Sequence, residues 1–226
     1  MGGRDVAVVP WYGDPHGKAL DWSVILPPAM ADRDTDTIHA VLAGDVDRYA
    51  ELVDRYQAPA LRLAFSLLGN YEDAKDASQE AFVNAYRALG RFRGRAKFST
   101  WLYRIVVNKC KDLYKRRARR PELAGSMSLP GGDGEPVDFF EAVPDPGAGP
   151  GEQLANQELS RQLSRAIGEL PMKQRTAFAL HHVHGLPLDE VAAVMRCRTG
   201  TVKSHIFRAT TRLRTVLSPR LAKERP

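Results

Sequence analysis

The stretch Asp73-Ala-Lys-Asp-Ala-Ser-Gln-Glu-Ala-Phe82 indicates an amphipathic helix that carries an unusual polar arc. Its alanines and Phe82 recur at helical spacing, so we expect them to form the buried side of the helix together with Tyr86. Taken alone, the polar arc is best interpreted as a solvated acidic turn, because carboxylates are favourable near a helix N-terminus. The arc consists of Asp76, Gln79 and Glu80.

Helical spacing of apolar residues runs through residues 37–120, and the period-two alternation typical of strands does not occur in the sequence. We expect four helices here, the third of them capped by Asp73 and the fourth by Ser99 or Thr100. The helical pattern resumes at residues 153–217. The sequence therefore predicts an all-α protein with two small helical domains.

Residues 91–120 form a basic segment with 12 Lys or Arg side chains and one acidic side chain. Aromatic residues are interleaved with these charges, a combination that suits single-stranded DNA, because bases stack on rings while cations hold phosphates. Phe98 and Trp101 are nevertheless better explained as core residues. Four polar residues recur at helical spacing and predict one exposed face: Arg104, Asn108, Lys111 and Lys115.

Residues 188–217 have the pattern of a helix-turn-helix, with Arg196-Cys197-Arg198 as the turn. The second helix is expected to bury Val202, Ile206, Ala209 and Leu213. Its opposite face can enter a major groove, where hydroxyl and guanidinium groups reach base edges and Lys holds phosphate. A solvated face on a small helical bundle is the simpler alternative. The face consists of Thr201, Ser204, Arg208 and Thr211, flanked by Lys203.

Charge is unevenly distributed along the chain, which has a formal net charge of +6. Residues 37–120 and 153–226 each carry a net charge of +8, residues 1–36 carry −3, and residues 121–152 carry −7 without a single Lys or Arg. Two basic blocks indicate two contacts with nucleic acid, because phosphate neutralisation supplies much of such affinity.

Composition argues against several other classes of protein. A hydrophobic content of 43% is ordinary for a globular chain, and no apolar run approaches the ~18 residues that a membrane helix needs. Cys110 and Cys197 lie too far apart for a disulfide framework or a zinc spacing, which favours a reducing cytoplasm. His181, His182 and His184 scatter around a helix end without a matching set of ligands. We therefore expect no metal, no cofactor and no catalytic activity.

Three segments are expected to lie outside the two helical domains. Residues 1–36 lack sustained periodicity and are predicted to be an unstructured extension. Met30 begins a plausible translation start, which leads to the hypothesis that residues 1–29 are absent from the natural product. Residues 121–152 are rich in proline and glycine and predict a flexible acidic linker, and residues 218–226 form a basic tail.

Two pairs of sequence strings carry a resemblance to a known family. Asp76, Gln79 and Glu80, followed about twenty residues later by the string from Phe98 to Asn108, resemble region 2 of bacterial sigma factors of the sigma-70 family. The strings Leu186-Pro-Leu-Asp-Glu-Val-Ala-Ala-Val-Met195 and Thr199-Gly-Thr-Val-Lys-Ser204 resemble region 4. A chain with these two regions alone is similar to the extracytoplasmic-function (ECF) class.

The resemblance implies a promoter-specificity subunit that binds core RNA polymerase and promoter DNA and is held inactive by an anti-sigma factor. It implies that Asp76, Gln79 and Glu80 contact the polymerase and that the acidic linker threads a basic polymerase channel. The residues implied for the single-stranded −10 element are Arg93, Arg95, Lys97, Arg104, Asn108, Lys111 and Lys115. Those implied for the duplex −35 element are Arg198, Thr201, Lys203, Ser204, His205, Arg208 and Thr211.

Some features leave alternatives open. His205 and Thr210 stand where the family often has Arg, and Pro187 stands where a capping Ser or Thr is usual, which leaves the target sequence undefined. The C-terminal unit also resembles that of many response regulators, so a stand-alone helix-turn-helix regulator is the main alternative function. A metallohydrolase built on the histidines would require stoichiometric metal, and the linker could be a simple tether.

Overall fold

The computed structural model describes residues 30–119 and 164–221, and every regular element in these ranges is helical. Helices α1–α4 form the N-terminal bundle and α5–α8 form the C-terminal bundle, so the predicted all-α fold with two helical domains is confirmed. The predicted linker, residues 121–152, lies outside the described residues, as do residues 1–29 and 222–226. None of the described helices is long and apolar enough to cross a membrane. The elements are α1 (Met30–Leu42), a 3₁₀ turn (Val46–Arg48), α2 (Tyr49–Leu68), α3 (Tyr71–Ala88), a 3₁₀ turn (Leu89–Arg91), α4 (Phe98–Arg119), α5 (164–168), α6 (Met172–Phe178), a π-helical turn (Ala179–Val183), α7 (Leu188–Met195) and α8 (Thr199–Leu221).

Helices α2, α3 and α4 pack against one another in the N-terminal bundle. Leu52, Leu63 and Leu67 of α2 are fully buried. Helix α3 approaches α2 closely because its buried side is formed largely by small residues at helical spacing. The prediction for this side is confirmed for Phe82 and the alanines, whereas Tyr86 is 40% exposed. The buried alanines of α3 are Ala74, Ala77, Ala81 and Ala85.

The start of α3 differs from the prediction. Gly69 has a left-handed conformation (φ 70°) that ends α2, and Asn70 then caps α3 by accepting a 3.0 Å hydrogen bond from the backbone N–H of Asp73. The prediction that Asp73 is the cap is therefore wrong. The Asp73 carboxylate instead pairs with Arg117 near the end of α4, and burial raises its pKa despite that cation. Helix α4 begins at Phe98, so the predicted cap at Ser99 or Thr100 is also wrong.

Helix α1 begins at Met30, so residues 30–36 do not belong to an unstructured extension as the sequence pattern suggested. Asp34 anchors this helix to α2, because its buried carboxylate accepts hydrogen bonds from Arg55 and from the Tyr56 hydroxyl. Burial and the neighbouring Asp34 both raise the pKa of Tyr56, which keeps the hydroxyl available as a donor. A buried polar anchor adds nothing to apolar periodicity, which explains why the pattern missed it.

Substituting Asp34→Ala is expected to lower the stability of the N-terminal bundle by about 1–3 kcal/mol, because the buried Tyr56 hydroxyl loses its acceptor. For a unit of this size, each kcal/mol corresponds to roughly 4–8 °C in the midpoint of thermal unfolding. Thermal unfolding followed by circular dichroism measures the shift. Asp36→Ala is the matched control, since Asp36 is an exposed carboxylate on the same helix. Equal midpoints for the two variants would contradict the anchoring role of Asp34.

The C-terminal bundle contains the predicted helix-turn-helix. Arg196 has a left-handed conformation (φ 53°, ψ 49°), and the Cys197 N–H donates a 3.1 Å hydrogen bond to the Ala192 carbonyl, which closes α7 and turns the chain into α8. The predicted turn is therefore confirmed. Buried residues of α8 pack in two directions, with Val202 toward α7 and with Ala209 and Leu213 toward α5.

The two bundles pack directly against each other. One continuous apolar core contains buried residues from both, and the principal contacts join α4 to α7 and α2 to α6. The sequence pattern gave no sign of this packing, because helical periodicity marks a buried side without identifying what covers it.

Candidate nucleic-acid interface

The acidic arc of α3 lies open on the surface of the N-terminal bundle. Asp76, Gln79 and Glu80 are all exposed, and together with the half-exposed Val83 they line a shallow depression. Glu80 accepts a 2.9 Å hydrogen bond from Lys109 of α4, which lowers the pKa of its carboxyl group. The arc thus combines carboxylate and amide groups with an exposed apolar side chain, a combination that fits a protein partner carrying cations. Sequence analysis missed Val83, because it lies beyond the string that defined the arc.

The loop between α3 and α4 presents cations. Arg93 and Arg95 are exposed on either side of Gly94, whose φ of 65° gives the loop a tight turn. Lys97 is also exposed, but its ammonium group donates a 2.8 Å hydrogen bond to Glu190 of the C-terminal bundle. The structure therefore leaves two of the three predicted loop cations open and pairs the third within the chain.

The predicted basic face of α4 is present, although its members differ in exposure. Asn108 and Lys115 are exposed, Arg104 is half-buried, and Lys111 is half-buried beside the C-terminal bundle. Burial is the main cause that lowers the pKa of Lys111, followed by the nearby positive charges of Lys173 and Lys115.

The aromatic residues of the basic segment form a cluster at the start of α4. Phe98 is 2% exposed, which agrees with the prediction that it is a core residue. Trp101 is half-buried, and its ring centroid lies 5.3 Å from that of Phe92 and 5.7 Å from that of Phe98. Trp101 thus packs within the aromatic cluster while remaining partly exposed.

The predicted polar face of α8 is exposed. Arg198, at the end of the preceding turn, is also exposed. The exposed residues are Thr201, Lys203, Ser204, Arg208 and Thr211. Hydroxyl and guanidinium side chains therefore lie along one side of the helix on successive turns, as in a helix that contacts base edges, although the Ser204 hydroxyl donates a 3.0 Å hydrogen bond to the Gly200 carbonyl of α8 itself.

His205 does not belong fully to this surface. Its ring is half-buried, and its Nδ1 atom is buried without a hydrogen-bond partner among the described residues. Burial is the main cause that lowers its pKa, and the positive charges of Lys173 and Arg208 lower it further. Both effects favour the uncharged form of the ring.

Phe207 is a feature of α8 that sequence analysis missed. It is 71% exposed, the largest exposed fraction among the large apolar side chains whose burial is described, and it lies one turn from Ser204 and from Thr211. An exposed ring on the polar side of this helix can contact a thymine methyl group in a major groove. The sequence did contain a sign of this exposure, because Phe207 does not share the helical spacing of the apolar residues that α8 buries.

The three clustered histidines have separate environments. The Nδ1 atom of His181 lies 2.8 Å from the Leu186 carbonyl oxygen, and the ring of His182 packs against Phe178. His184 is buried against Tyr103 of α4. Burial lowers the pKa of His182 to about 4 and that of His184 to about 3, so both rings are neutral at pH 7. Among the described residues, no group of three His, Cys, Asp or Glu side chains is placed to hold a metal ion.

Comparison with known proteins identifies the family. The family described as Sigma-70 region 2 matches residues 52–120, and Sigma-70, region 4 matches residues 160–213. The chain is 37% identical over 193 residues to the RNA polymerase sigma-H factor of Pseudomonas aeruginosa, covering 84% of this chain and 96% of that protein. It is 36% identical over 185 residues to the ECF RNA polymerase sigma-E factor of Escherichia coli, covering 80% and 93% of the two chains.

Solved structures with a similar fold were also found. The structure of CnrH in complex with the cytosolic domain of CnrY matches with a TM-score of 0.57 and 26% identity, over 84% of this chain and 98% of that one. A sigma factor RpoE from Bartonella quintana, solved with the anti-sigma factor NepR, matches with a TM-score of 0.54 and 23% identity, over 74% of this chain and 97% of that one. At 23% identity, the match to the Bartonella quintana protein shows that the two chains share a fold.

The chain therefore belongs to the sigma-70 family of RNA polymerase sigma factors. Within that family it is a member of the ECF class, and it functions as a promoter-specificity subunit in transcription initiation.

Proposed function

We propose that this subunit divides its task among three separate surfaces. The arc of Asp76, Gln79 and Glu80 binds core RNA polymerase, the loop and basic face of α4 bind the single-stranded −10 element, and the polar face of α8 binds the duplex −35 element. The observation that carries this proposal is the placement of the surfaces. The arc lies on the N-terminal bundle and the polar face of α8 lies on the C-terminal bundle, and each of these two surfaces is open.

At the −35 element, we propose that α8 enters the major groove with its first turns. Arg208 reaches a base edge, and the hydroxyls of Thr201, Ser204 and Thr211 donate to or accept from neighbouring bases. Arg198 and Lys203 contact phosphates and fix the register of the helix. His205, half-buried and favoured in its uncharged form, supports α8 against α6 and contributes little charge.

At the −10 element, the guanidinium groups of Arg93 and Arg95 hold phosphates near the partly exposed Trp101, while Asn108 and Lys115 follow the strand along α4. The chain alone does not open the duplex. Opening about ten base pairs costs roughly 1.4 kcal/mol per step, whereas each captured base returns about 1–3 kcal/mol. Capturing two or three bases cannot offset the whole bubble, so the polymerase supplies the remaining contacts.

We further propose that the subunit has no catalytic activity of its own and acts in the cytoplasm with the polymerase. A reducing compartment fits its two free cysteines, of which Cys110 is buried and Cys197 is half-buried. A protein partner that restrains it is supported by CnrH, a similar chain whose structure was solved with the cytosolic domain of CnrY. By family resemblance that partner is an anti-sigma factor.

The proposal is tested by run-off transcription with purified core polymerase, with and without this protein, on fragmented DNA from its own source. We expect new RNA 5′ ends that share sequences near −35 and −10. Footprints on duplex DNA without polymerase, together with no new start sites, would instead establish the stand-alone helix-turn-helix regulator.

Phe207→Ala is expected to reduce transcription from the cognate promoter about three- to tenfold, because it removes an apolar contact with a base in the major groove. Transcription from promoters substituted one base at a time in the −35 element measures the effect. The loss should concentrate at one thymine and should be smaller for Phe207→Leu, which keeps an apolar side chain. A uniform loss at every −35 position would show that the ring supports folding or phosphate contacts instead.

A further inference from the structure

Two carboxylates of α3 are paired with cations of α4. Asp73 pairs with Arg117, and Glu80 accepts a 2.9 Å hydrogen bond from the Lys109 ammonium group. Among the residues that the structure describes, Asp76 forms no ion pair. Helix α4 therefore supplies internal counter-charges to part of the acidic side of α3, and one of them engages the arc itself.

The Glu80–Lys109 pair borders two depressions on the surface of the N-terminal bundle. The first is the depression that the arc lines, and the second is lined by residues of both α3 and α4. Glu80, Lys109 and Asp76 line each of them. The side chain of Lys109 is 30% exposed and that of Glu80 is 57% exposed, so a partner that fills either depression meets both charges.

Lys109 belongs to the arc rather than to the proposed −10 surface of α4. Lys109, Leu113 and Arg116 recur at helical spacing, and all three line the second depression beside α3. The neighbouring Asn108 is exposed on the face that carries the proposed −10 residues. Sequence analysis assigned Lys109 to neither surface, because the pairing of a lysine with a carboxylate 29 positions away leaves no local pattern.

An ammonium group at Glu80 weakens the attraction of the arc for a cationic partner. The hydrogen bond from Lys109, followed by the charge of Lys109, lowers the pKa of the Glu80 carboxyl, so this group is ionised at neutral pH. A second cation that approaches the same carboxylate is repelled by the ammonium charge already there. Like charges that are brought together at an interface reduce its affinity and slow association.

We propose that Lys109 limits the affinity of this subunit for core RNA polymerase, because it holds Glu80 in an internal ion pair that a cation of the polymerase must displace. The inference rests on the proposed function, in which the arc binds polymerase. Binding then exchanges one ion pair for another, so the polymerase gains only the difference between them. Lys109 can leave the depression on binding, since its charge lies at the end of a flexible four-carbon chain.

The first test compares two lysine variants in their binding to core polymerase. Lys109→Met removes the charge and keeps an unbranched side chain, and it should tighten binding about three- to tenfold, chiefly through faster association. Lys173→Met is the matched control, because Lys173 is an exposed lysine of α6 that lines neither depression. Fluorescence anisotropy of the labelled full chain measures affinity, and stopped-flow mixing measures the association rate.

The second test asks whether Lys109 acts through Glu80. In a Glu80→Gln background, Lys109→Met should change the affinity by less than about twofold, because the competition has already been removed. Lys109→Arg keeps the cation and should bind as the parent does. The gain from Lys109→Met should also shrink as salt is raised, since the repulsion that it removes is screened.

A structural role for Lys109 predicts the opposite sign. If the pair served only to hold α3 against α4, Lys109→Met would weaken binding and lower the midpoint of thermal unfolding. Because the pair is largely exposed, we expect the midpoint to stay within about 4 °C of the parent. Affinity and midpoint together therefore separate competition from folding.

Two results would overturn the inference. One is binding by Lys109→Met that is equal to or weaker than binding by Lys173→Met, and the other is a gain that persists undiminished in the Glu80→Gln background. Gln79→Ala with Glu80→Ala, measured in the same assay, tests the proposed function separately. If that double variant binds as the parent does, the arc is not the polymerase surface and both ideas fail. If it binds weakly while Lys109→Met brings no gain, only the role of Lys109 fails.

Discussion

Replacing Gln79 and Glu80 together by alanine is expected to weaken binding to core RNA polymerase by roughly 10- to 100-fold. Both side chains are exposed on the arc of α3, where they can accept or donate hydrogen bonds to a cationic partner surface. The expected loss corresponds to about one hydrogen bond that involves a charged group, which contributes about 1.5–3 kcal/mol. Binding of labelled protein to core enzyme, followed by fluorescence anisotropy, measures the change.

The folded state should tolerate this double substitution. The Glu80–Lys109 pair is largely solvent-exposed, so its loss has little effect on stability. Asp54→Ala removes an exposed carboxylate from α2 and serves as the control for net charge. If the double variant bound core enzyme as tightly as the Asp54 variant, the assignment of the arc as the polymerase surface would be wrong.

Arg208→Ala is expected to reduce use of the cognate promoter by roughly 5- to 150-fold and to relax selectivity at one base pair of the −35 element. A guanidinium that bonds a base edge contributes about 1–3 kcal/mol of discrimination. Arg208 is exposed on the face of α8 that also carries Ser204 and Thr211, which places it for such a contact. Run-off transcription from promoters substituted at each −35 position measures both effects.

Two control variants separate base contact from charge. Arg165→Ala removes the same charge from an exposed position on α5 and should change the start sites little. Lys203→Ala should weaken promoter binding uniformly across sequences and reduce its salt dependence, because a phosphate contact carries no base information. A uniform loss for Arg208→Ala as well would place that residue on the phosphate backbone.

Apolar periodicity predicted the helical fold and the exposed sides of α3, α4 and α8, because a helix with one buried side has apolar residues at spacings of three and four. The arc on α3 was interpretable only through its resemblance to a family, because three polar residues near a helix N-terminus have an ordinary explanation. Asn70 was missed as the cap of α3, since the position of a cap depends on where the preceding turn at Gly69 ends.

Contacts between the bundles could not be predicted from the sequence at all. Glu190, Arg175 and His184 each look like a solvated or helix-terminal residue, and their partners lie about 90 or more positions away for Glu190 and Arg175. Phe207 was a different kind of omission. It lies outside the apolar pattern of α8, but an isolated exposed ring predicts a DNA contact only when the helix that carries it is already assigned to DNA binding.

The packing of α4 against the C-terminal bundle also bears on how the free protein is distributed between non-specific DNA and solution. A bacterial chromosome offers on the order of 10⁶ or more competing non-specific sites, to which a basic protein is drawn. Each phosphate contact that is withheld weakens that attraction. With Lys97 paired and Lys111 half-buried, we expect the chain to bind bulk DNA less tightly than its formal charge implies, which would leave a larger free pool to meet the polymerase.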